Sequence, residues 1–110
     1  MKSFKLKSHQ IKQLVEGMGS CIASDKITVE GLPVGFMYRE EPDTEPDSGW
    51  RFFSGTETQD YADTAENLMY YNVNTIANYD SAIPYLHLPK GSELMRVKGS
   101  NDFEIDFTEM

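Results

Sequence analysis

The chain has 110 residues, of which 39% are apolar and 12% aromatic, and its formal net charge is −8. That length suits one domain, residues 1–110, able to bury a core without staples, and the apolar content excludes a disordered chain. The negative balance argues against direct nucleic-acid binding, since carboxylates repel phosphates, and the lone Cys21 excludes an internal disulfide.

The start, MKSFKLKSHQIK, carries lysines but no apolar stretch of secretory length. The apolar cluster Leu68-Met69-Tyr70-Tyr71 is far too short to span a membrane. A single thiol fits a reducing compartment, so a cytoplasmic location without membrane contact is expected. Charge is unevenly spread. Residues 1–39 hold six Lys/Arg and three Asp/Glu, a balance of +3, and residues 40–110 hold four and fifteen, a balance of −11. An acidic surface keeps a small protein soluble and also speeds encounter with a basic partner.

In chain order, Ser3 to Lys7 alternates polar and apolar residues as a short strand does. Ser8 can cap a helix, and Ile11, Leu14, Val15 and Met18 share the spacing of one helical face. A helix is therefore expected over residues 9–17, ended by Gly17 or Gly19. Ser20 to Ser24 and Lys26 to Val29 are β-prone. Glu30-Gly31-Leu32-Pro33 is turn chemistry, and Val34 to Arg39 reads as a strand. The acidic loop 40–48 follows, where Pro42 and Pro46 lack the amides a central strand needs. Gly49 to Phe53 is a third strand. Short links among these three predict an antiparallel meander. Trp50 and Phe52 fall on one of its faces, Arg51 and Phe53 on the other, and alternation does not tell which is inside.

Residues 56–72 read as a loop with a helical turn. Asn74 can cap a short helix from Thr75 to Tyr79, and Asp80-Ser81 can open another turn carrying Ile83, Tyr85 and Leu86. Glu93 to Val97 reads as a strand. Phe103, Ile105 and Phe107 alternate with Glu104, Asp106 and Thr108, the pattern of a last strand with one buried face. The expected architecture is α+β: a mostly antiparallel sheet of about five strands, one N-terminal helix packed on a face, and a short helical segment near 74–86.

Chemical motifs are weak. Asp43, Glu45 and Asp47 fit the first ligand positions of a calcium loop, but its glycine comes one residue late and Ser54 stands where a bidentate glutamate is required. One cysteine with His9 and His87 far apart does not make a zinc site. Ser54-Gly55 lacks the pattern of a nucleophile elbow, and Gly17-Met18-Gly19 lacks the rest of a phosphate cradle. No cofactor, metal or catalytic residue is expected. A binding surface has better support. Glu40, Glu41, Asp43, Glu45 and Asp47 would steer and pair with a basic partner, Arg51 would donate, and Trp50 would anchor if exposed, because Trp, Tyr and Arg dominate interface energies. The rival class is an enzyme or small-ligand binder with a pocket lined by Tyr38, Tyr70, Tyr71 or Tyr79 and a perturbed carboxylate. A housekeeping interaction domain is a third.

The runs Met37-Tyr38-Arg39-Glu40-Glu41-Pro42, Asp47-Ser48-Gly49-Trp50-Arg51-Phe52 and Ser54-Gly55, with Asn78-Tyr79-Asp80 and the Pro89, Gly91 pair, resemble a bacterial family once filed as a domain of unknown function. That family is classed among the immunity proteins of polymorphic-toxin systems. The likeness spans about residues 18–97, with the start and the tail after Val97 less typical. The resemblance implies a small cytoplasmic protein that binds and neutralises a cognate toxin, and no catalytic residues. An acidic inhibitor of a nuclease could offer carboxylates in place of phosphates.

Overall fold

The computed structural model describes residues 2–80 and 86–107. In chain order the elements are β1 (Ser20–Ser24), α1 (Asp25–Thr28), β2 (Phe36–Arg39), β3 (Asp47–Phe53), α2 (Gln59–Asp63), β4 (Leu68–Asn72), α3 (Val73–Tyr79), β5 (Ser92–Arg96) and β6 (Phe103–Phe107). Short 3₁₀ turns lie at Ser8–Gln10 and Ala65–Asn67. The strands form one sheet in the order β4-β1-β3-β2-β5-β6. All neighbours are antiparallel except β1 and β3, which run parallel.

The α+β, mostly antiparallel architecture is as expected, with a sixth strand. The extra strand is β4, formed by residues read as loop, and α2 accounts for the helical turn before it. The expected meander is not formed. α1 and the loop after it carry the chain past one strand position, and β3 returns into the gap between β1 and β2. Lys26 to Val29 was β-prone, yet Asp25–Thr28 is helical. Ser24 accepts from the Lys26 amide at 3.1 Å and Asp25 sits in the first turn, and a cap with an acid at the N-terminus outweighs modest β propensity.

The N-terminal helix expected over residues 9–17 is likewise absent; only the turn at Ser8–Gln10 is helical. Asn74 and Asn78 of α3 supply partners to the extended chain instead. Asn74 Oδ1 accepts from the amides of Leu14 at 2.7 Å and Val15 at 2.9 Å, and Asn78 Oδ1 accepts from Lys12 N at 2.9 Å. Both asparagine amides donate to the Lys12 carbonyl at 2.9 Å. Backbone groups satisfied from outside leave a short helix no advantage, and tertiary context overrides propensity. Val15 and Met18 still pack on the core, while Leu14 stays 55% exposed. Ser3 to Lys7 forms no strand, although Lys5 N donates to Thr28 O. Asn74 therefore does not cap α3; Asn72 does, accepting from Asn74 N at 2.9 Å. The turn expected at Asp80-Ser81, with Ile83 and Tyr85, reaches into residues 81–85, outside the described residues.

α1 and α3 pack against β1 and β4 and against each other, covering one face of the sheet. Ile27, Val73, Ile76 and Ala77 from the helices meet Cys21, Ala23, Met37, Trp50, Phe52 and Leu94 from the strands. Burying such side chains contributes about 1.5–3 kcal/mol each. Trp50 Nε1 donates to Leu86 O at 3.0 Å, so its polar atom is satisfied inside. Burial pushes the Cys21 thiol well above its ordinary value, so it is an inert core residue. At the far edge, Phe103 is buried but Ile105 is 50% exposed. The single buried face expected of β6 is thus only partly realised, since α1 and α3 lie over the other end of the sheet.

Candidate functional site

The opposite face of the sheet presents Ile22, Arg51, Phe53, Phe36, Tyr38 and Met95, by the pairings Ile22 with Arg51, Arg51 with Tyr38, Phe53 with Phe36 and Phe36 with Met95. Two features meet there: a buried ion pair under the acidic loop, and an aromatic cleft beside it.

Arg51 is the centre of the first. Its side chain is only 2% exposed. Nη1 and Nη2 donate to Asp47 Oδ1 and Oδ2 at 2.9 and 2.8 Å, the fork geometry a guanidinium makes with one carboxylate. Nε donates to Glu40 Oε2 at 2.6 Å, and Asp43 Oδ2 lies 3.8 Å from Nη2. Asp47 also accepts from the amides of Asp43 at 2.9 Å and Gly49 at 3.0 Å. The Arg51 guanidinium and those amides hold the Asp47 carboxyl well below the usual carboxylate range, against the burial that raises it. Burial alone would ease the proton off Arg51, but Asp47 and Glu40 more than offset it, so the guanidinium stays charged. Glycine is required at 49. Its φ is +90°, and a Cβ there would lie 2.2 Å from the Glu40 carbonyl oxygen.

Arg51 therefore sorts the predicted contact residues. Glu40 and Asp43 are tied to it yet keep exposed carboxylates, at 43% and 62%, and Tyr70 donates to Asp43 Oδ2 at 2.9 Å. Glu41 stands apart with Lys90 at 2.9 Å, and Glu45 is exposed in the same loop. The other three leave the surface. Asp47 and Arg51 are buried as a pair, and Trp50 is 0% exposed on the helix-covered face. Trp50 as an exposed anchor, and Arg51 and Asp47 as direct contacts, are thereby corrected: two charges neutralise each other beneath the loop, and the indole serves the core. Arg51 acts as the post that holds the rim in place.

The second feature was not picked out by composition. Phe36, Tyr38 and Phe53 form a cluster, with centroids 5.6 Å apart for Phe36–Tyr38 and 6.4 Å for Phe36–Phe53. Tyr38 and Phe53 are parallel within 4° at 6.1 Å. A cleft of about 380 Å³ opens over them, walled by Met95, Glu57 and the Gln59 and Ala62 side of α2. Glu57 is held there by the amides of Ser54 at 2.8 Å and Gly55 at 2.9 Å. Burial would raise its carboxyl, but these bonds outweigh that and lower it. Burial raises the Tyr38 phenol, Glu40 adds to the rise and Arg51 opposes it. Met95 is 58% and Tyr70 53% exposed. The signal in the sequence was the shared face of Arg51 and Phe53; which face is open only the helix layer reveals.

The four tyrosines of the rival class do not converge on one pocket. Tyr38 alone of the four lines the cleft; Tyr70 bonds Asp43, the Tyr71 hydroxyl lies 3.0 Å from Thr28 Oγ1, and the Tyr79 hydroxyl accepts from Leu6 N. Of the perturbed carboxylates, Asp47 is closed off by Arg51, while Glu57 lines the cleft with Tyr38. Among the described residues no group of three or more His, Cys, Asp and Glu is placed to hold a metal ion, and no helix is long and apolar enough to cross a membrane.

The family described as Immunity protein Imm33 domain matches residues 21–106. The chain belongs to the Imm33 immunity family. The match confirms the suspected relationship and extends it past Val97; it runs from within β1 to within β6. Asp47, Gly49 and Arg51, and the Phe36–Tyr38–Phe53 cleft, all lie inside the Imm33 region. No curated protein and no solved structure matches the chain. An immunity domain implies a toxin-neutralising role through a protein partner.

Proposed function

We propose that this Imm33 protein neutralises a toxin of a polymorphic-toxin system in the cytoplasm by docking, without catalysis, and that its contact surface is the acidic rim with the open sheet face beside it. The observation that carries this reading is the buried Arg51, which fixes Glu40 and Asp43 at the rim while its own charge is spent on Asp47. A rim held in place presents negative charge without first having to order it. Glu41 and Glu45 add to the field from exposed positions. Their combined sign suits a basic toxin domain, and complementary charge mainly raises the association rate. Tyr70, exposed beside the rim, and Met95, exposed at the cleft, supply area that stays dry once covered.

The test mixes the purified chain with the toxin domain encoded next to its gene. Tight binding is expected, with an association rate that falls as salt rises from low to physiological strength. Glu41→Gln with Glu45→Gln should slow association and leave dissociation nearly unchanged. Absent binding, or binding indifferent to salt, sinks the proposal.

A further inference from the structure

β5 and β6 give the open face Glu93, Met95, Glu104 and Asp106. Their register sets Glu93 directly against Asp106 and Met95 against Glu104. This stretch of the open face is therefore acidic. The one basic residue within these strands, Arg96, is turned to the other face, where it lies 4.8 Å from the Phe103 ring centroid and pairs with Asp80. Glu93 also sits opposite Tyr38 of the aromatic cleft. The cleft carries one carboxylate in its wall, Glu57, and Glu93 stands on the neighbouring strand opposite Tyr38, so the site calls for a cation rather than an apolar side chain. An apolar occupant would gain nothing from that negative charge. A planar cation satisfies both parts, since a guanidinium stacks on ring faces and bonds a carboxylate through its edge.

We propose that the cleft over Phe36, Tyr38 and Phe53 receives an arginine side chain of the protein partner, its guanidinium lying on the rings of Tyr38 and Phe53 and donating to the Glu93 carboxylate. This deepens the toxin-docking reading and rests on it for the source of the arginine. The cleft is a specificity pocket beside the rim: the rim supplies attraction at a distance, and the pocket selects one residue type on arrival.

The experiment uses the full chain with ¹³C-labelled methionine methyls and observes Met95 and the ring signals of Tyr38 and Phe53 by NMR. The ligand is Nα-acetyl-arginine methylamide. The controls are the citrulline analogue, which has the same shape without charge, and the leucine analogue. The arginine compound should shift Met95 and both rings in a saturable way, and the citrulline compound should bind about three- to five-fold more weakly. Glu93→Gln, at an exposed position, should weaken arginine by about two- to five-fold, and Tyr38→Leu should remove the ring-dependent part. Equal binding of citrulline, preference for leucine, or shifts confined to sites outside the cleft would overturn the proposal. If variants on the open face abolish toxin binding while arginine leaves the cleft unmoved, toxin docking stands and the arginine pocket falls. If arginine occupies the cleft and the adjacent toxin does not bind, the pocket stands and the toxin reading falls.

Discussion

The two faces of one sheet solve different problems with similar residues. The covered face carries Trp50 and Phe52, stacked at 6.1 Å and sealed under α1 and α3. The open face carries Phe53 and Tyr38, stacked at the same distance but left at the floor of a cleft. Adjacent residues of β3 thus serve opposite ends. Aromatic content alone says nothing of role; what decides it is whether the chain supplies its own cover.

That contrast predicts an ordered set of responses. Trp50→Ala should cost most, about 5 kcal/mol at the upper end for a core aromatic, read as a shift in urea midpoint. It empties a packed site and removes the donor to Leu86 O. Arg51→Met should follow at about 3–4 kcal/mol, because Asp47 is left buried without its partner. Arg51→Met with Asp47→Leu should recover most of that loss, since replacing both members of a buried pair is often close to neutral, while Glu40 loses its anchor. If the double variant stays as unstable as the single one, the ion pair is worth more to the fold than to the rim.

Acid provides a softer way to break the same pair. The ordinary aspartate value is near 3.8, and Asp47 is held far below it in the folded chain. A carboxyl depressed by folding adds stability that is whole above about pH 5 and is lost as pH falls through 4 toward the folded value. Melting temperature should therefore drop between pH 5 and pH 2, and Asp47→Asn should start lower and flatten that profile.

Gly49→Ala should cost about 1–3 kcal/mol, because it forces an unfavourable backbone angle and pushes on the Glu40 carbonyl. Smallest for the isolated protein is Met95→Ser, within about 0.5 kcal/mol of the parent in stability, yet expected to weaken toxin binding by about 1–2 kcal/mol. A Met95→Ser protein that loses stability on the scale of Trp50→Ala would erase the distinction between the faces.

Much of the sheet was readable from alternation. Arg51 and Phe53, and Trp50 and Phe52, fall on the separate faces that alternation predicts, because side chains in a strand alternate whatever covers them. Topology was not readable. Whether β3 joins β2 alone or slips between β1 and β2 depends on contacts distant in the chain. The helix expected over 9–17 failed for a similar reason, since its rivals for backbone bonds, Asn74 and Asn78, lie some 60 residues away. At the site, the acidic loop was obvious, but not which carboxylate folds under. Asp47 and Arg51 are four apart in β3 and share a face, yet Glu40, Asp43 and Asp47 are chemically alike, and only the fold chooses among them.

The asparagine clamp on α3 has a consequence for which residues of the leading segment can change. Asn74 and Asn78 grip the leading segment by its peptide groups alone. Such a grip is blind to the side chains of residues 12–14, whereas Val15 and Met18 also seat the segment by packing on the core. The family match begins at residue 21, just after it. Two amides on one short helix thus seat the front of the chain by its backbone, ahead of the sheet.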